Sequence, residues 1–239
     1  SNSIFDGTDC TMLSGEPANG VDPANACATM AAIAANAEMG VNYTQQFDYI
    51  RDFTTRPTST VEATVSCAAK TAVETKAGLI LIYAESGTTA ALVSKYRPPC
   101  PIVVVTTSEQ VARNCNGHFG QYPCVVDKFD SETQRYAFDY AVEKGYCVAG
   151  SMAVIVIGLE DWFTSKRVPM MTMVKIPGWL IPEANKNTKA TTLSIRTTKI
   201  DLETITRTDL DLARKTKIFC TLGPACWEED GMAGLLDAG

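Results

Sequence analysis

The stretch best equipped for chemistry is Ala84-Glu85-Ser86-Gly87-Thr88-Thr89, a small, hydroxyl-rich turn between an apolar run and the start of a helix. Such a turn offers free backbone N–H groups at the positive end of a helix dipole, a setting that suits an anion such as phosphate. From the turn alone, the simpler expectation is that Ser86, Thr88 and Thr89 only cap the helix. Two further stretches place polar or rigid residues just beyond an apolar stop. Ser14-Gly15-Glu16 follows Met12-Leu13 and reads as a loop at a strand end, and Gly223-Pro224-Ala225 follows Lys217–Leu222. The thiols are scattered, with nine cysteines at positions 10, 27, 67, 100, 115, 124, 147, 220 and 226 and no CxxC pair. That usage reads as reduced thiols in a cytosolic protein rather than a zinc site. The single histidine, His118, sits in the Gly-rich loop Asn116–Gly120 and reads as a surface residue, and Lys166-Arg167 as solvated.

The elements that would position these residues follow from periodicity. Leu79-Ile80-Leu81-Ile82-Tyr83 has no polar alternation, as expected of a strand buried on both faces of a parallel sheet. Around it, helix Thr60–Lys76, strand Ile102–Thr106, a short helix Ser108–Cys115, a strand Pro123–Val126, helix Ser131–Lys144 and strand Ala153–Ile157 alternate. Met170–Ile176 alternates enough to be a last, edge strand. This order predicts an open α/β layered domain with right-handed crossovers over Ser59–Ile176. Ahead of it, Asp22-Pro23 opens a helix whose apolar face is Cys27, Met30, Ile33, Ala34 and Ala37, with Gly40 as its stop. Tyr43, Phe47 and Ile50 mark a second, shorter helix, and Thr54–Ser59 the first domain boundary. Behind the domain, Pro177–Thr192 reads as a linker, Ser194–Arg214 has no clear period, and strand Lys217–Leu222 leads into a helix at Trp227–Ala238.

The totals narrow the function. The chain has 239 residues, 46% hydrophobic and 20% charged, with a net charge of −6. An acidic chain is a poor match for nucleic acid or an anionic membrane surface, and no partner of either kind is expected. No run approaches the ~18 consecutive apolar residues of a membrane span. The opening Ser1-Asn2-Ser3-Ile4-Phe5-Asp6 has neither an initiator Met nor a signal peptide, so the sequence is expected to be an internal piece of a cytoplasmic protein.

Three stretches together identify a resemblance. FDGTDCTMLSGEPANG, from Phe5 to Gly20, is similar to the pyruvate kinase signature LDGTDCxMLSGEtakG. KTKIFCTLGPAC, from Lys215 to Cys226, resembles TKIxCTxGPAS, the opening strand of that family's barrel. Between them, ESGTTAALVSKYRPPCPIVVVT resembles the family's C-terminal domain, with its pattern SGrtA…vakyRP.cPi.avT. The resemblance covers Ser1 to Pro177 and again about Ile200 to Gly239. It implies the C-terminal α/β sandwich domain of a pyruvate kinase with flanking fragments of a (β/α)8 TIM barrel. The implied parts are the end of a barrel at 1–57, the α/β effector domain at 58–177, a linker at 178–199 and the start of a barrel at 200–239. The order is that of a junction between tandem copies, since the closing barrel strand comes first and the opening one last; a circular permutation would look similar.

The resemblance implies phosphoryl transfer from phosphoenolpyruvate to ADP, giving pyruvate and ATP with Mg²⁺ and K⁺. The family's phosphate-binding arginine, potassium ligands, catalytic lysine and magnesium carboxylates belong to segments absent here. The chain alone is therefore expected to be inactive, with no catalytic or metal-binding residue of its own. Ser14, Glu16, Asn19 and Pro224 match the edge of the nucleotide site, Pro224 being the proline that lies against the adenine. Pro17 replaces the usual Thr, and Asn19 stands where the family has a lysine that reaches the nucleotide phosphates. Ala84, Glu85, Ser86, Gly87, Thr88 and Thr89 match the turn that holds a phosphorylated activator, and Arg135 an arginine that helps hold it. Glu85 departs from the Lys or other donor of activated members. The Trp-bearing insertion before the helix of Arg135 is missing, and Leu159-Glu160-Asp161-Trp162-Phe163 replaces a Gly-rich loop. A weak or absent response to fructose 1,6-bisphosphate is expected. The last strand, with Met170, Met171 and Met173, implies a subunit interface and a homotetramer or tandem assembly. The competing reading is a degenerate copy kept as a structural or assembly module.

Overall fold

The computed structural model describes residues 1–160, 167–178 and 213–239. Two compact units divide the chain: Ser1–Val41 with the described part of Lys199–Gly239, and the described part of Asn42–Thr198. The second unit is built on a five-stranded sheet whose strands are β2 (Leu79–Tyr83), β3 (Ile102–Thr106), β4 (Gln121–Val125), β5 (Met152–Glu160) and β6 (Arg167–Lys175). Their spatial order is β4-β3-β2-β5-β6. β2 pairs in parallel with β3 and β5, and β3 with β4, while β6 runs antiparallel at the edge. The unbroken apolar runs are explained by two covered faces. Successive side chains of a strand point to opposite sides. Ile80, Ile82, Ile102, Val104, Val154 and Val156 therefore enter one core, and Leu79, Leu81, Val103, Val105, Ala153 and Ile155 the other.

The helices of this unit are α4 (Tyr43–Asp52), α5 (Thr60–Thr75), α6 (Thr88–Lys95), α7 (Glu109–Cys115) and α8 (Thr133–Glu143). α5 supplies Val65, Ala68, Ala69 and Ala72 to the first core, and α8 supplies Ala137, Phe138, Ala141 and Val142 to the second. Small residues on α5 let it approach the sheet closely. Its start is fixed by Ser59, whose hydroxyl accepts from the Glu62 N–H at 3.1 Å, with Glu62 completing the spacing of a capping box. The units divide between Val41 and Asn42, ahead of the boundary expected at Thr54–Ser59. The reason is Phe47 of α4, which is fully buried in the first core with its ring 5.6 Å from that of Tyr96.

The other unit joins the two ends of the chain. It contains α1 (Asn2–Phe5), β1 (Cys10–Leu13), α2 (Gly15–Asn19), α3 (Pro23–Met39), β7 (Lys217–Cys220) and α9 (Glu229–Ala238). β1 and β7 form a two-stranded parallel sheet with Cys10 opposite Lys217 and Leu13 opposite Cys220. Asp22 caps α3 by accepting from the Asn25 N–H at 2.9 Å, with Pro23 in the first turn, as the sequence predicts. Leu13, Cys27, Cys226 and Leu235 make its small core, flanked by Met30, Ile218 and Cys220. Ile33, expected on the apolar face of α3, is 40% exposed, whereas the acidic Glu38 is buried. The expected linker beyond Gly178 and the stretch from Ser194 to Leu212 lie outside the described residues.

Candidate functional site

β2 ends at Tyr83, and the Ala84 N–H still donates to the Val105 carbonyl at 2.9 Å, so the turn departs from a rigid sheet edge. Gly87 follows in the left-handed region (φ +79°), which only a residue without a Cβ adopts freely, and it is the N-cap of α6. No side chain caps this helix. The Ser86 hydroxyl instead donates to the Thr88 hydroxyl at 3.2 Å. Capping, the simpler expectation for Ser86, Thr88 and Thr89, is thus not what these hydroxyls do. The N-cap Gly87 brings no side-chain hydrogen bond to α6, and Glu85, Ser86 and Thr88 are exposed in the same turn. Dipole, N–H groups and hydroxyls converge there, which is the chemistry of an anion seat.

Arg135 lies on the first turns of α8, exposed, with its Nε 3.9 Å from the Asp139 carboxylate. β2, β3 and β4 run parallel, so the β2–α6 turn and the β4–α8 connection emerge at the same end of the sheet. Tyr83 and Phe129 link these two connections through an edge-on ring contact at 5.6 Å. Burial raises the Tyr83 hydroxyl, with Cys124 adding to it, so the Tyr83 side chain stays neutral. His118 is half-buried in its turn, where its N–H donates to the Cys115 carbonyl at 3.1 Å. Asp161, Trp162, Phe163 and Lys166 lie outside the described residues, as do the side chains of Leu159, Glu160 and Arg167.

The second candidate site occupies the C-terminal ends of β1 and β7, where parallel strands collect their loops. Ser14-Gly15-Glu16 is not a loop: Ser14 precedes the short helix α2, and the Ser14 N–H donates to the Glu16 carboxylate at 3.1 Å. The buried Pro17, compatible with the first turn of a helix, explains the difference. Asn19 ends α2 and is exposed. The β7–α9 turn lies against α2. The Ala225 N–H donates to the Ala18 carbonyl at 3.0 Å, and a Cβ on Gly223 would stand 2.6 Å from that same oxygen. The structure thus brings the Ser14, Glu16, Asn19 segment and the Pro224 segment together. Among the described residues, no group of three or more His, Cys, Asp and Glu could hold a metal ion.

Sequence reasoning missed an ionic centre at the other end of β7, where the end of α3 meets the residues that lead into that strand. Glu38 and Lys215 are both buried, with Nζ 3.0 Å from a carboxylate oxygen. The backbone N–H groups of Lys215 and Thr216 also donate to this carboxylate, at 3.0 and 2.6 Å. Burial by itself would raise the Glu38 carboxyl; the Lys215 charge and these N–H donors outweigh it and hold the group below its ordinary range. The only available signal was an acid near the end of an apolar helix. Burial pushes the Cys124 thiol up to about 11 and the Cys147 thiol up to about 12, as for inert structural thiols.

Residues 62–166 match the family described as pyruvate kinase, alpha/beta domain. Pyruvate kinase 1 of Candida glabrata is 40% identical over 167 residues, covering 66% of this chain and 33% of that protein. A pyruvate kinase of Clostridium acetobutylicum is 41% identical over 160 residues, with the same coverage of each. A Cryptosporidium parvum pyruvate kinase solved in complex with ADP superposes with a TM-score of 0.69 at 31% identity, over 74% of this chain and 35% of that one. The chain spans about a third of the length of the curated relatives it matches.

Proposed function

From the premise that residues 62–166 belong to the pyruvate kinase α/β domain family, we propose that the complete protein is a glycolytic, cytoplasmic pyruvate kinase. It transfers the phosphoryl group of phosphoenolpyruvate to ADP. The observation that carries this reading is the identity of about 40% with pyruvate kinases of two distant organisms over 167 and 160 residues, 66% of this chain in each case. The parallel pairing of β1 with β7 supports reading the flanks as the closing and opening strands of a (β/α)8 barrel. Within it, Ser14, Glu16, Asn19 and Pro224 form one edge of the nucleotide site. In the α/β unit, the Ala84–Thr89 turn with Arg135 forms the seat of a phosphorylated effector. Mg²⁺ and K⁺ bind ligands outside the described residues. Positioning and charge neutralisation dominate phosphoryl transfer, so a chain without those ligands lacks turnover. The edge strand β6 serves a subunit interface in a tetramer or tandem assembly.

A second reading, a degenerate copy acting as an assembly module, draws on one specific feature. The end of α2 presents the neutral, exposed Asn19 where a cation would meet nucleotide phosphates. A lactate dehydrogenase-coupled assay on the intact parent, with Mg²⁺ and K⁺ and with or without sugar phosphates, separates the two. Turnover of phosphoenolpyruvate is expected for the parent and none for the 239-residue chain. A folded parent without turnover would establish the module instead.

A further inference from the structure

Cys27 on α3 and Cys220 on β7 bring their sulfurs to 4.0 Å although 193 positions separate them in the chain. Both belong to the small core around Leu13, Cys226 and Leu235. The Cys27 thiol is 3% exposed and donates to the Leu235 carbonyl at 3.6 Å; Cys220 is only partly buried. We propose that these two thiols form a reversible disulfide that ties α3 to β7 and so clamps the two ends of the chain together. A disulfide needs sulfurs about 2.05 Å apart and Cβ atoms about 3.8 Å apart, a geometry that side-chain rotation and a small approach can reach from here. The gain falls where the fold is weakest, because a two-stranded sheet is marginal by itself. Cys226 is the rival partner, in the same core, with its own Sγ 4.0 Å from the Thr221 carbonyl.

The oxidant is a small disulfide of the glutathione class. The Cys220 thiolate attacks one sulfur of oxidised glutathione, forming a mixed disulfide and releasing one glutathione. The Cys27 thiolate then attacks the Cys220 sulfur and displaces the second. Two protein thiols give up two protons and two electrons, and one glutathione disulfide becomes two glutathiones. A dithiol reductant reverses both steps. Burial, with Cys27 adding to it, pushes the Cys220 thiol up to about 11, so the exchange is slow at neutral pH and faster at about pH 8.5.

The test incubates the full chain with oxidised glutathione at about pH 8.5, alkylates the remaining thiols, and maps disulfides by peptide mass spectrometry. Amide exchange of β7 is followed in parallel. The expected result is a Cys27–Cys220 linked peptide that dithiothreitol abolishes, with exchange over Lys217–Cys220 slowed at least about tenfold. A Cys226→Ser chain should keep the link, and a Cys27→Ser chain should stop at a mixed disulfide. Mixed disulfides alone in the native chain, or a Cys220–Cys226 link, would overturn the proposal. So would a link without slowed exchange. Cys67, exposed on α5, reports that the oxidant was active.

Discussion

The two compact units of this chain solve the same problem, covering parallel strands, in different ways. The α/β unit uses contiguous sequence. Each of its three central strands finds apolar cover on both faces. Among its described residues, the unit made from the chain ends has two strands of four residues, few buried apolar side chains, and a buried Glu38–Lys215 pair. Met12 and Phe219, opposite each other in the register, remain 70% and 49% exposed. Local sequence pattern can specify the first kind of unit. The second depends on a charged contact across 177 positions, and buried charge is costly unless every partner is present.

The largest break in this comparison comes from removing one partner of that pair. Glu38→Gln leaves the Lys215 ammonium buried without its counter-charge, and the cost expected is about 3–5 kcal/mol. Amide exchange should show Lys217–Cys220 losing protection while Leu79–Tyr83 keeps it. The pH dependence has a defined sign. The Glu38 carboxyl is held below its ordinary value of 4.5 in the folded chain, so its stabilisation is complete above that value. It is lost as pH falls through the lower, folded value. Among the described residues of the α/β unit, the carboxyls held low are the half-buried Glu62, mainly by its hydrogen bond from Lys95, and the exposed Asp130, mainly by the Thr133 hydroxyl. On acidification β7 should open before β2, and the reverse order would show that the pair does not hold the chain ends.

A smaller effect is expected inside the stronger unit. Gly87→Ala places a Cβ in the left-handed region and 3.3 Å from a methyl group of Val111. A loss of about 1–2 kcal/mol follows from the backbone strain. A urea titration of the two proteins should show a lower midpoint with an unchanged slope, since the sheet remains intact.

The difference between the units is also the difference in what could be read beforehand. The strand Leu79–Tyr83, the helix start at Asp22-Pro23 and the edge position of β6 follow from composition and spacing over a few residues. The place of α4 in the α/β unit escaped because this helix looks like a separate, short element until Tyr96 is seen against Phe47. The α2 helix escaped because Ser-Gly-Glu-Pro carries stronger turn signals than helix signals. Glu38 escaped for a deeper reason: nothing local distinguishes an acid on a helix surface from one that meets Lys215 across the fold. At the anion seat, residue types were legible, but whether Ser86 and Thr88 cap α6 was a matter of geometry.

Glu85 provides the finest test of that seat. Glu85 is exposed on the turn, two residues ahead of the N-cap Gly87, so it brings a negative charge to the turn that leads into α6. At close range in a solvated setting, like charges repel by about 1 kcal/mol. Glu85→Lys removes that repulsion and adds an attraction of similar size, which together correspond to roughly a tenfold or larger gain in affinity. Isothermal titration with fructose 1,6-bisphosphate should show weak binding in the native chain and a clear gain in the variant, and the gain should shrink as salt rises. Arg135→Ala in the same background should reduce the gain if α8 contributes to the seat. Tight binding by the native chain would mean that Glu85 faces away from the bound phosphate, and the helix start would then act without interference from its neighbour.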